Sequence, residues 1–196
     1  MKVQERLISY VTVRTPSNEE SETVPSSMCQ FDLARKLEKE MQELGLTEVV
    51  LDDKCYLYGK LPATEGKENI PAIGFIAHMD TVSDFCDHEI HPIITENYDG
   101  GELTLGTSGL ILNPKEFPHL AELKGRTLIA SDGTTILGAD DKAGIAEILT
   151  MIERIQTAKL PHGTICVAFT PDEEIGMGAE HFDLEQFGAE YAYTLD

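Results

Sequence analysis

Three apolar runs of strand length in this chain each end on acids, and that repetition constrains the fold more than any other feature. Residues 73–80 read Ile-Gly-Phe-Ile-Ala-His-Met-Asp; residues 164–174 read Thr-Ile-Cys-Val-Ala-Phe-Thr-Pro-Asp-Glu-Glu; residues 189–196 read Ala-Glu-Tyr-Ala-Tyr-Thr-Leu-Asp. A nearly continuous apolar run of this length suits a strand buried on both faces. In open α/β sheets the crevice at the carboxyl ends of the strands is where ligands bind. His78 and Asp80, two residues apart on one strand, share a face and point into that crevice together. Taken alone, His-x-Asp describes a histidine held by a neighbouring carboxylate; the downstream acids decide whether it is more.

The stretches between these runs supply helices. Val3, Leu7, Tyr10 and Val11 predict a short amphipathic helix ending before Pro16, and Ala34, Leu37, Met41 and Leu44 predict a stronger one from about Ser26 to Leu44, stopped by Gly45. Thr47 to Asp52 and Tyr56 to Leu61, rich in β-branched and aromatic residues, read as two strands around Asp52-Asp53-Lys54. Thr81 to about Lys124 is mixed, with an Asp99-Gly100-Gly101 turn and an Asn113-Pro114 break, and reads as short strands and loops. Thr127 to Ala130 predicts a strand, Asp132-Gly133 a turn, and Thr134 to Leu137 a returning strand that makes a hairpin. A long helix follows, Lys142 to Thr157, with Ile145, Ile148, Leu149, Ile152 and Ile155 facing the core. The expected fold is α/β, with a mixed, largely parallel sheet and helices on both faces.

The helix at Lys142 opens from Gly138-Ala-Asp-Asp-Lys-Ala-Gly144. One aspartate there serves as a helix N-cap, but two, flanked by glycines that let backbone approach a ligand, exceed what capping requires. The acids of Pro171-Asp-Glu-Glu-Ile-Gly176 also suit the first turn of a helix. Recurrence tips both motifs toward chemistry, because strand ends and one strand-to-helix turn deliver His78, Asp140, Asp141, Glu173, Glu174 and Asp196 to one sheet edge. Clustered carboxylates beside an imidazole are reconciled most simply by divalent metal. Nitrogen and oxygen donors without thiolate suit zinc, with manganese or cobalt possible. Two such ions roughly 3.5–4 Å apart would make a hydrolytic site.

Charge and cysteine usage narrow the partners and the compartment. With 15 Lys and Arg against 35 Asp and Glu, the 196-residue chain carries a formal charge of −20, which repels nucleic acid and anionic membrane surfaces. The opening residues lack the apolar core of a signal peptide and no run approaches membrane-spanning length, so the expected location is cytoplasmic. Cys29, Cys55, Cys86 and Cys166 are widely spaced beside apolar segments and read as buried reduced thiols. His88 and His91, next to Glu89 and Pro92, read as solvated surface histidines, as do His119, His162 and His181.

His78-Met-Asp80-Thr-Val82, Gly138-Ala-Asp140-Asp141-Lys-Ala-Gly144, Pro171-Asp-Glu173-Glu174-Ile-Gly176 and Thr194-Leu-Asp196 resemble the successive motifs of the two-zinc aminopeptidase and carboxypeptidase family. Leu7 to Pro16 and Leu112 to Leu120 resemble the tripeptide aminopeptidases within it. The resemblance implies that His78 and Asp196 bind one zinc, Glu174 binds the other and Asp140 bridges them. It implies that Asp80 accepts a hydrogen bond from His78, that Glu173 is the general base, and that the Asp140–Asp141 peptide bond is cis. Its substrates would be short peptides with a free amino terminus. Family members continue past Asp196 through a lid or dimerisation domain and a return that supplies a last histidine ligand. Residues 1–196 are therefore expected to be the amino-terminal part of a catalytic domain, with a homodimer possible for the full-length protein and little activity in the fragment alone. The competing readings are a related carboxypeptidase, dipeptidase or deacylase, and a catalytically silent metal-binding fragment.

Overall fold

The computed structural model describes residues 1–196. It contains helices α1 (Val3–Val11), α2 (Gln30–Glu43), α3 (Lys142–Thr157) and the one-turn α4 (Leu184–Phe187). Its strands are β1 (Thr47–Leu51), β2 (Leu57–Leu61), β3 (Ile73–His78), β4 (Pro92–Thr95), β5 (Leu103–Thr104), β6 (Ile111–Leu112), β7 (Leu128–Ser131), β8 (Ile165–Thr170) and β9 (Tyr191–Thr194). The chain divides into two compact units, residues 1–83 with 138–196, and residues 84–137.

The first unit is built on a five-stranded sheet in the order β1-β2-β8-β3-β9. The β1–β2 and β2–β8 pairs are antiparallel, whereas β8–β3 and β3–β9 are parallel, so the three apolar runs lie side by side with their carboxyl ends together. Alternation sorts their side chains onto two faces. Ile165, Val167 and Phe169 of β8 pack on one face against α2 and α3, while Cys166 and Ala168 pack on the other with Tyr56, Tyr58 and Phe187. Every residue of β8 is buried, which is why its sequence shows no polar alternation.

Burial explains the helices. Leu33, Ala34, Leu37 and Met41 of α2 and Ile145, Ile148, Leu149 and Ile152 of α3 are fully buried against the sheet. Each large aliphatic contributes roughly 1.5–3 kcal/mol on leaving water. The helix expected from Ser26 begins instead at Gln30, because Ser26 spends its backbone N–H and hydroxyl on Asp172. Helices α2 and α3 share one face; on the other, helical cover is the single turn of α4. Gly74 admits it: a Cβ there would stand 2.3 Å from the Phe187 ring. No helix is long and apolar enough to cross a membrane.

The second unit holds two antiparallel strand pairs, β4–β7 and β5–β6, with a 3-10 turn over Pro118–Leu123. Its core is Tyr98, Leu103, Leu105 and Leu120. The hairpin expected over residues 127–137 does not form. Strand β7 pairs with β4 through Ile94 opposite Ile129, and Thr134 to Leu137 is not a strand. The Ile136 N–H donates to Phe85 O at 3.0 Å, and Asp132 turns back on its own neighbour, accepting from Thr134 N at 2.9 Å. Cys55, Cys86 and Cys166 are buried, Cys29 half-buried, and all four are free thiols. His88, His91, His119 and His181 are exposed, with His88 hydrogen-bonded to Asp87 and Thr134; His162 is half-buried.

Candidate metal centre

Strand β3 delivers His78 to the carboxyl edge of the sheet, only 2 % exposed. Its Nδ1 lies 3.0 Å from the backbone carbonyl oxygen of Asp80 and 3.3 Å from that residue's carboxylate. Both are acceptors, so Nδ1 carries the hydrogen. The other ring nitrogen, Nε2, stands 2.9 Å from Asp140 Oδ1 and 3.8 Å from Glu173 Oε2. In the neutral ring this leaves a lone pair aimed at a carboxylate, an arrangement that needs a cation between the two atoms. A proton can serve: burial lowers the His78 pKa, but the Asp80 and Asp140 carboxylates outweigh it and push it up to about 9. A metal ion can serve as well. Two ligands at zinc bonding distance in a tetrahedral shell lie about 3.3 Å apart, close to the separation seen.

The two adjacent aspartates divide their work. The Asp140–Asp141 peptide bond is cis. Asp141 caps α3, its Oδ1 accepting from Gly144 N at 2.9 Å and its Oδ2 from His78 N at 3.3 Å. A Cβ at Gly144 would come within 2.3 Å of the Asp141 carboxylate, so what this glycine admits is the capping side chain. Burial pushes Asp141 up to about 7. Asp140, with its side chain 72 % exposed, is left free to face His78.

Glu173 and Glu174 follow β8 in a 3-10 turn, Glu173–Ile175. Asp80, fully buried, accepts from Glu173 N at 3.0 Å and from Glu174 N at 3.1 Å. Its carboxylate thus faces the turn as well as the His78 ring, a double role that the sequence did not reveal because the partners lie 93 and 94 residues away. The donor atoms of His78, Asp140 and Glu174 lie within 4.8 Å of one another, and so do those of His78, Glu173 and Asp196. Burial raises the Glu174 pKa, and the Asp140, Asp80 and Glu173 carboxylates add to that rise. All the expected ligands therefore meet at one sheet edge, with nitrogen and oxygen donors only, a set that fits zinc, manganese or cobalt.

The chain is similar to known peptidases. The model of Peptidase family M20/M25/M40 matches residues 134–195. A peptidase T from Desulfitobacterium hafniense is 54% identical over 99% of this chain and 47% of its own length, and one from Alkaliphilus oremlandii is 50% identical over 98% of this chain and 48% of its own. This chain resembles peptidase T along nearly its whole length. It spans about half the length of the curated relatives it matches. Among solved structures, an aminopeptidase PepT from Bacillus cereus aligns with TM-score 0.69 and 30% identity over 99% of this chain and 42% of that one. A tripeptidase from Staphylococcus aureus aligns with TM-score 0.67 and 27% identity over the same shares. The span that aligns with peptidase T thus runs through the His78 and Asp80 positions, which lie outside the residues that the family model matches.

Proposed function

We propose that this chain carries the metal-binding residues of a zinc-dependent aminopeptidase that removes the amino-terminal residue from tripeptides. The observation that carries the proposal is the His78 Nε2 lone pair facing Asp140 Oδ1 at 2.9 Å inside a ring of further carboxylates, a cluster that asks for divalent cations. The solved aminopeptidase and tripeptidase that the chain resembles support the substrate class. On this reading residues 1–196 contribute to one catalytic domain, with His78 and Asp196 holding one zinc ion, Glu174 the other, and Asp140 both. The ions, when bound, would supply an acidified water and a polarised peptide carbonyl.

The chain's own residues do the rest. His78 keeps its hydrogen on Nδ1, toward Asp80, and so offers Nε2 as a ligand. Asp80 fixes the Glu173–Glu174 turn through the two backbone N–H groups. Glu173, whose side chain is 48 % exposed and open to substrate, takes the proton of the attacking water on its carboxylate and returns it to the departing amine nitrogen. Glu173 falls in a candidate ligand set with His78 and Asp196 as well. We assign it the base on the resemblance of Pro171-Asp-Glu173-Glu174-Ile-Gly176 to the motif of the two-zinc peptidases.

The test uses the whole polypeptide that carries this sequence, stripped with a chelator and titrated with zinc by calorimetry. Two equivalents are expected to bind, restoring release of the first residue from a tripeptide but leaving an amino-acetylated tripeptide uncut. Release of the carboxyl-terminal residue, or deacylation of the acetylated peptide, would favour the carboxypeptidase or deacylase alternatives. Zinc binding without cleavage of any peptide would favour a silent metal-binding protein.

A further inference from the structure

We propose that Asp172 is a positioning residue: its buried carboxylate, gripped by Ser26 and Gln30, sets the backbone turn that aims Glu173 and Glu174 at the metal centre. The inference rests on the reading of those two glutamates given above. Asp172 is fully buried, and its backbone is left-handed at φ 56°, ψ 27°. Strand β8 ends at Thr170, and the left-handed residue two positions later reverses the chain at once. Glu173 N and Glu174 N are then turned back toward the Asp80 carboxylate. Aspartate enters this conformation more readily than most side chains, but something must hold it there.

The grip is specific. Asp172 Oδ2 accepts from Ser26 N at 2.7 Å; Oδ1 accepts from Ser26 Oγ and from Gln30 Nε2, both at 2.6 Å. Gln30 closes the clasp in the other direction, its Oε1 accepting from Asp172 N at 3.3 Å. Ser26 Oγ also accepts from Asn18 N at 2.9 Å, so the hydroxyl proton is committed to Asp172. Three donors converge on a group that must therefore be acceptor-only. An asparagine would set its own NH₂ against one of them.

Glu173 and Glu174 are thus held from two sides. Asp80 takes their N–H groups from the β3 side, and Asp172 fixes the residue before them from the α2 side. The polar segment between α1 and α2 thereby gains a purpose, since it carries Ser26 to the grip, and Gln30, the first residue of α2, completes it. Loosening the grip lets both carboxylates drift from where chemistry needs them, and a 1 Å misplacement can cost about 10²-fold in rate.

The experiment loads the whole polypeptide with cobalt(II) and compares Asp172→Asn, Ser26→Ala and Gln30→Ala with the parent. An Ile148→Val variant serves as a control for stability, since Ile148 is core and remote in role. The three grip variants are expected to keep their cobalt stoichiometry, change the visible ligand-field spectrum and lose about 10²-fold in kcat with little change in KM. Ile148→Val is expected to lower Tm alone. Parent-like spectra and kcat in the grip variants, with only Tm shifted, would overturn the proposal. Should Asp172→Asn fail to fold, the two partner variants decide. Glu173→Gln separates the layers: if it is inactive while the grip variants behave like the parent, only the grip falls; if it is fully active with metals bound, the reading of the site falls too.

Discussion

At the scale of single residues, the site is a set of neighbouring acids given different roles by their backbones. Asp141 is consumed by the α3 cap and Asp140 is not; the Glu173 and Glu174 N–H groups are consumed by Asp80 and their carboxylates are not. This division yields opposite predictions for two substitutions in the whole polypeptide. Glu173→Gln keeps shape and should keep metal, yet should lose about 10²–10⁴-fold in turnover because an amide cannot relay the proton. Metal analysis beside kcat checks it, and near-normal kcat in a metal-replete variant would remove Glu173 from the role of base. Asp140→Ala deletes the oxygen facing His78 Nε2 and should instead lower metal content. The residues that meet at the sheet edge were legible as candidates in the sequence because strand ends announce themselves by apolar runs. The supporting contacts were not: Gln30 grips Asp172 from 142 residues away, and nothing local to Pro171-Asp172 marks that side chain as anything but a helix-start acid.

At the scale of elements, α1 and α3 carry a polar device that periodicity cannot show. Arg6 of α1, 2 % exposed, donates to Glu40 Oε1 of α2 at 2.7 Å and to Thr150 of α3 at 2.9 Å, and pairs with Glu153 of α3 at 2.8 Å. Tyr10 adds its hydroxyl to the second oxygen of Glu40 at 2.6 Å. One guanidinium thus ties three helices. Removing one partner of a buried charge pair costs about 3–5 kcal/mol, and the low end applies because the Glu40 and Glu153 side chains keep 17% and 32% of their exposure. Arg6→Ala should therefore lower Tm by roughly 6–12 °C for a chain of this size, read by calorimetry. A shift within error would mean that water replaces the guanidinium without loss. Helix α3 was legible to the residue because its stripe is local. The hairpin expected over residues 127–137 failed for the converse reason: Asp132-Gly133 is a sound turn signal, but the partner of β7 is β4, more than thirty residues earlier, and pairing partners at that distance leave no trace in a local pattern.

At the scale of the whole chain, charge and sheet edges pull in opposite directions. A formal charge of −20 keeps copies apart at low ionic strength. The two edges of the five-stranded sheet differ in how they discourage pairing. Strand β1 is broken by an irregularity between Thr47 and Val50, with Glu48 at φ 51°, and such bulges turn an edge away from partners. Strand β9 has neither bulge nor charge within Tyr191–Thr194; it pairs with β3 on one side only, and all four of its residues are exposed. Tyr193 rests on Phe75 with ring centroids 6.4 Å apart and still shows 59% of its surface. An unpaired, uncharged edge with exposed aromatics is a template for a second strand. The purified 196-residue chain should accordingly be monomeric at low salt and associate as added salt screens its charge, since the Debye length falls to about 3 Å at 1 M. Tyr193→Lys, which places a cation on the β9 edge while leaving the fold's core untouched, should suppress that association. Sedimentation velocity across a salt series measures both. A parent chain that stays monomeric at high salt and high concentration, or a Tyr193→Lys variant that associates as readily as the parent, would show that β9 is not the edge through which copies meet.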